Sequence, residues 1–172
     1  LKSSVPPSSS KAPFRLMLVE DNDGFRGTVH RFATAKGFVC SSYANPVLAI
    51  SDIGDFRPDV ILTDFQLPNM DGLQLLQAVH ASDPALPVVL MSGKGNFELA
   101  IDALRAGAFD LLAKPFESLE LAMLQVSRAA QHRRLGEHNR ALEAELARHQ
   151  PFGELVGESP AMKEIFEVVQ QV

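Results

Sequence analysis

Between residues 14 and 118, short apolar runs alternate with stretches in which apolar residues recur every three or four positions. The runs FRLMLVE (14–20), FVCSSY (38–43), DVILTD (59–64), PVVLMS (87–92) and FDLLAK (109–114) read as strands. Their β-branched and aliphatic character, with little polar alternation, is that of strands covered on both faces. The stretches between them read as helices. One covers 23–36, with Phe25, Val29, Phe32 and Ala33 sharing a face and Gly37 as its stop. A second covers 46–56 and is opened by Pro46. A third covers 72–82, with Leu73, Leu76, Ala78 and Val79 inward, and a fourth covers 96–107, closed by Gly107. From Ser118 to His149 a single long helix runs with almost no breaker.

Five such strands alternating with five helices predict a parallel sheet with right-handed crossovers and helices on both faces. The segment is short for a full dinucleotide-binding domain. It suits a flavodoxin-like, doubly wound five-stranded sheet of order 2-1-3-4-5, extended by a C-terminal coiled-coil helix. In such sheets the functional crevice lies beyond the carboxyl ends of the strands. The residues that end each strand are therefore the informative ones.

The first strand ends in Glu20 and Asp21, with Asp23 just beyond; the third ends in Asp64. The fourth ends in Ser92, before Gly93, and the fifth in Lys114, before Pro115. Strands one and three are neighbours in this order, so Glu20, Asp21 and Asp64 meet. Carboxylates that close repel and raise one another's pKa, and a hard divalent cation relieves the repulsion. Oxygen donors in a site that keeps several waters point to Mg²⁺. Asp64 is placed to attack phosphorus and form an acyl phosphate, with Lys114 neutralising one phosphoryl oxygen. Ser92 reaches another oxygen if it moves inward, which would make the chemistry a switch. Taken singly, each residue has a plainer reading: a turn aspartate, a helix cap, a loop serine, a solvated lysine. Their coincidence at one edge of one sheet favours the chemical reading.

Composition narrows the classes. The 172 residues are 46% hydrophobic and 22% charged, a globular balance, with a net charge of −5 that argues against nucleic-acid binding by the whole chain. The single cysteine, Cys40, has no partner for an internal disulfide and reads as a small buried hydrophobe, which fits a reducing cytoplasm. No apolar run reaches the ~18 residues of a membrane span. The start, LKSSVPPSSSKAP, reads as a disordered leader over 1–13, and an opening leucine suggests a fragment or a processed chain.

The stretches LMLVEDND, VILTDFQLPNMDG, VVLMSGKG and FDLLAKPF make residues 14–130 similar to the response-regulator receiver domains of bacterial two-component signalling. By that resemblance, Asp64 is the phospho-acceptor for a sensor histidine kinase. Asp21 and Asp64 ligate Mg²⁺ with the backbone carbonyl of Gln66, and Glu20 acts through water. Ser92 is the switch hydroxyl, Lys114 binds the phosphoryl group, and the Lys114–Pro115 bond is cis. Gln66 and Lys94 stand where family members tune the lifetime of the acyl phosphate. Two departures stand out. Glu20 replaces the more frequent aspartate, and Leu111 stands where many receivers carry an aromatic switch ring. Phe109 shares the odd–even phase of Leu111 and is expected in the core.

Residues 151–172 carry a second resemblance: LVGESPAMKEIFEVV looks like the opening of the AAA+ ATPase domain of sigma-54-dependent transcription activators. No G-x-x-x-x-G-K-[ST] loop is present, so no ATP hydrolysis is expected of this chain, nor is a helix-turn-helix visible. Between the two, residues 131–150 read as a coiled-coil linker helix. Leu135, Asn139, Leu142 and Leu146 are spaced as a heptad seam, and an Asn at an a position favours a paired, in-register coil. The expected partners are a histidine kinase and a second copy, joined through the linker and the face made by the fourth helix, fifth strand and fifth helix. In the full-length protein, RNA polymerase with sigma-54 and DNA follow. The chain is then a self-modifying phospho-switch rather than a turnover enzyme.

Two other classes compete. A Mg²⁺-dependent phosphatase or phosphotransferase of the haloacid type places its nucleophile after strand one in a D-x-D pattern, and Asp21-Asn22-Asp23 lacks the residue that usually follows. A flavodoxin-like cofactor binder needs a hydroxyl- and glycine-rich loop there, where EDND would repel a phosphate.

Overall fold

A computed structural model describes residues 12–93 and 97–149. In chain order the elements are β1 (Arg15–Val19), α1 (Asp23–Ala35), β2 (Val39–Tyr43), α2 (Pro46–Phe56), β3 (Val60–Asp64), α3 (Gly72–Ser82), β4 (Val88–Gly93), α4 (Phe97–Arg105), β5 (Asp110–Lys114) and α5 (Leu119–His149). The strands form one sheet in the order β2-β1-β3-β4-β5, and every neighbouring pair is parallel. Fold class and strand order are those read from the alternation of apolar runs.

Successive side chains of a strand leave on opposite faces, so each inner strand feeds two cores. Leu16, Leu18, Val60, Leu62, Val89 and Met91 pack against Val29 and Ala33 of α1 and against Ala122, Met123 and Val126 of α5. Met17, Val19, Ile61, Val88 and Leu90 pack on the other side against Ala49 of α2, Leu75, Leu76 and Val79 of α3, and Ala103 of α4. β3, between β1 and β4, is buried at every position, which is why its sequence shows no polar alternation.

The helix ends follow local chemistry. Asn22 caps α1 by accepting from the Phe25 N–H at 2.9 Å. Asp71 and Gln74 make a reciprocal capping box at α3, with contacts of 2.7 and 3.0 Å. Gly37 and Gly107, at φ +92° and +97°, supply the left-handed residues that stop α1 and α4.

The structure corrects two core assignments. Phe109 is 38% exposed, not core: it precedes β5, the edge strand, and its ring lies against His132 of α5 instead. On α3 the fully buried residues include Leu75, which the inward set omitted, whereas Leu73 and Ala78 are only partly buried. The fully buried row Leu75, Leu76 and Val79 lies one step round the helix from the face first assigned, because Gly72 is drawn tightly against β3.

The described residues divide into two compact units, one ending at Arg134 and one beginning at Leu135, and α5 runs through both. The stretch resembling an AAA+ opening, 151–172, lies outside the described residues, as do residues 1–11 and Lys94. Ala12 and Pro13 are described, and their carbonyls accept hydrogen bonds from Arg134, the Pro13 contact at 2.5 Å.

Candidate functional site: an acidic rim closed by a lysine

β1 and β3 end side by side, with Val19 paired to Thr63, so the residues that follow share one rim. Glu20 is 1% exposed. Its Oε1 accepts from the Asn22 N–H at 3.1 Å and its Oε2 from Lys114 Nζ at 3.0 Å. Asp64, also buried, accepts from Lys114 Nζ through Oδ2 at 2.8 Å. Asp21 is exposed at the mouth. One carboxylate oxygen from each of Glu20, Asp21 and Asp64 lies within 4.8 Å of the other two.

The electrostatics follow from this crowding. Burial pushes the Glu20 carboxyl above its ordinary range, and Asp64 adds to the rise, while Lys114 and the Asn22 N–H oppose it. Lys114 is partly buried, which by itself lowers its pKa, but its bonds to Asp64 and Glu20 outweigh that and leave it raised. The lysine is thus firmly protonated and holds two of the acids apart from solvent. Its ammonium also stands 5.0 Å from the centre of the Phe25 ring, which packs at a tilt against Phe116 with ring centres 5.5 Å apart.

Ser92 lies on β4 one step past the partner of Asp64 and one before the strand's last residue, is 4% exposed, and donates to the Gly93 carbonyl at 3.3 Å. It therefore borders the rim without a bond to the acids. Gln66 is exposed in the loop two residues after Asp64. The Lys114–Pro115 bond is cis. Leu111 is partly buried against the α2–α3–α4 side of the sheet.

Several residues at the site carried no signal strong enough to single them out in the sequence. Gly72 is one: a Cβ there would stand 2.6 Å from the Asp64 carbonyl oxygen and 2.9 Å from the Phe65 Cα, and its N–H donates to the Phe65 carbonyl at 2.8 Å. Arg26 is another. Its Nη1 donates to the backbone carbonyls of Glu20 at 2.7 Å and Asp21 at 3.3 Å, and its Nη2 pairs with Asp23. The i,i+3 spacing of Asp23 and Arg26 was visible, but its target was not.

A doubly wound parallel sheet with a lysine-bound acidic cluster at its carboxyl edge places these groups at the crevice where α/β domains of this class bind their ligands. The chain belongs to the response regulator receiver domain family, which matches residues 16–124. It is 32% identical over 152 residues to the DNA-binding transcriptional regulator NtrC of Salmonella typhimurium, covering 88% of this chain and 31% of that protein. It is 42% identical over 164 residues to the C4-dicarboxylate transport transcriptional regulatory protein DctD of Pseudomonas aeruginosa, covering 92% and 35%. Among solved structures, the receiver domain of NtrX from Brucella abortus superposes with a TM-score of 0.64 at 32% identity, over 67% of this chain and 98% of that one. The chain spans about a third of the length of the curated relatives it matches. It carries the receiver domain of a response regulator, similar to the matching part of these transcriptional regulators.

Proposed function

We propose that Asp64 accepts a phosphoryl group from the phosphohistidine of a sensor kinase. A carboxylate oxygen of Asp64 forms the new bond to phosphorus; the nitrogen–phosphorus bond breaks, and the imidazole keeps the electron pair and takes a proton from solvent. Lys114 has three N–H donors, and among the described residues Glu20 and Asp64 engage two, which leaves a donor to offer a phosphoryl oxygen. Ser92, one step along the neighbouring strand, turns its hydroxyl from Gly93 toward a second oxygen. The supporting observation is that three acids from two strand ends stand within 4.8 Å of one another, with one lysine bonded to two of them.

The donor set, all carboxylate oxygen, suits a hard divalent cation, and Glu20, Asp21 and Asp64 with the Gln66 carbonyl would hold Mg²⁺. When bound, that ion supplies charge neutralisation for the phosphoryl oxygens. The chain acts as a phospho-acceptor and not as a turnover enzyme. Asp23, which a haloacid-type site would need, is bound instead to Arg26 and is 87% exposed.

Output runs through α5. Leu135, Leu142 and Leu146 are exposed at heptad spacing, with Asn139 between them, and would meet the same residues of a second copy. Ile101, Leu104, Leu121 and Leu124 are exposed on α4 and α5, the face that would carry the phosphorylation signal to that dimer. In a full-length regulator the pair would then control an AAA+ ATPase, RNA polymerase with sigma-54 and DNA, within the cytoplasm; among the described residues no helix is long and apolar enough to cross a membrane.

Acetyl phosphate with Mg²⁺ should add one base-labile phosphoryl group, read by intact mass. A mass gain that persists in Asp64→Asn would overturn the assignment of the acceptor.

A further inference from the structure

We infer that Arg26 is a positioning residue for the acidic rim: its guanidinium fixes the Glu20–Asp21 backbone so that both carboxylates present to one point. The inference rests on the cation-binding reading given above. Arg26 comes from the first turn of α1, yet its Nη1 reaches back to the carbonyls of Glu20 and Asp21, at 2.7 and 3.3 Å. Those carbonyls belong to the peptide units that decide where the Glu20 and Asp21 side chains leave the main chain. Beyond Val19 the sheet ladder no longer holds this segment: the Glu20 N–H is tied to the Tyr43 carbonyl at 3.0 Å and the Asn22 N–H to Glu20 Oε1 at 3.1 Å, while Arg26 is the side chain that grips the Glu20 and Asp21 carbonyls. A planar fork with fixed donor directions suits the remaining task better than a single ammonium does.

A guanidinium this close to a cation site also repels the cation. Asp23 answers that charge: it pairs with Nη2 while standing 87% exposed, turned out of the cluster. The pair delivers hydrogen-bond donors to the loop with little net charge. Two effects of removing Arg26 therefore have opposite signs. Loss of repulsion would tighten Mg²⁺ binding, whereas loss of position would weaken it, by about tenfold or more if Arg26 acts as do other groups that orient metal ligands.

The test uses the whole chain, with Arg26→Ala and Arg26→Lys beside the wild type. Mg²⁺ is titrated and followed by amide shifts at positions 21 and 64, and amide hydrogen exchange at positions 21 and 22 is measured without metal. The expected result for Arg26→Ala is a roughly tenfold weaker Mg²⁺ affinity and faster metal-free exchange at those amides, with Arg26→Lys recovering part of both because one donor remains. An Arg26→Ala protein that binds Mg²⁺ as tightly as the wild type, or more tightly, overturns the inference. Should the wild type itself not bind Mg²⁺, the cation reading fails. The metal-free exchange then decides alone, and unchanged exchange in Arg26→Ala overturns the positioning role.

Discussion

At the scale of residues, Glu20 is the costliest feature of the site. It is a carboxylate almost without solvent contact, kept by one lysine and one backbone N–H. Its pKa is raised, so the stability linked to its protonated form is fully present below the ordinary carboxylate pKa and is lost as pH climbs through the folded value. Metal-free Glu20→Gln should therefore gain on the wild type between about pH 4 and about pH 7, as thermal melts at the two pH values would show. Lys114→Ala, which leaves Glu20 and Asp64 buried without their shared cation, should cost about 3 kcal/mol in urea unfolding of the metal-free protein. Gly72→Ala should cost about 1–3 kcal/mol, since its Cβ meets the backbone of Asp64 and Phe65 as well as the buried Leu90 side chain, and the backbone atoms cannot move aside cheaply. Cys40 sits apart from this chemistry. Burial pushes its thiol up to about 12, so little thiolate forms at neutral pH. Alkylation of the native protein should run at least roughly tenfold slower than in denaturant, read by mass against time.

At the scale of elements, the strand ends were legible because the physics is simple. An apolar strand that stops on a carboxylate needs a partner for the charge, and parallel order places all such ends on one edge. Glu20, Asp21, Asp64 and Lys114 could thus be gathered before any coordinates. Residues whose role depends on side-chain reach could not. Arg26 acts on a segment five and six positions behind it, and Gly72 matters through a close approach to β3 that no periodicity reports. Phe109 failed for a related reason: the odd–even rule holds only within a strand, and β5 starts one residue later. Helix ends were easier, because their signals are local. Asp71→Ala, which breaks the capping box of α3, should lower stability by about 1 kcal/mol in the same urea assay.

At the scale of the whole molecule, the proposed function depends on α5 serving twice. Up to Ala130 it gives the receiver part of its core through Ala122, Met123, Val126, Ala129 and Ala130. From Leu135 onward its leucines are bare, and a second copy is the natural cover. Leu142→Glu should shift the chain toward monomer, whereas Asn139→Leu should tighten association at the expense of a single register; sedimentation equilibrium separates the two. The grip of Arg134 bears on this arrangement. It holds the Asp59 carboxylate at 2.6 Å and the Pro13 carbonyl at 2.5 Å, at the amino ends of the strands. The chain enters the receiver at Pro13 and α5 passes Arg134 at the same pole, while the acids gather at the other, one strand length or about 16 Å away. A domain whose doorway and workbench sit at opposite poles can be spliced between other modules, through adjacent in-going and out-going strings of residues, without obstructing the end where it is modified.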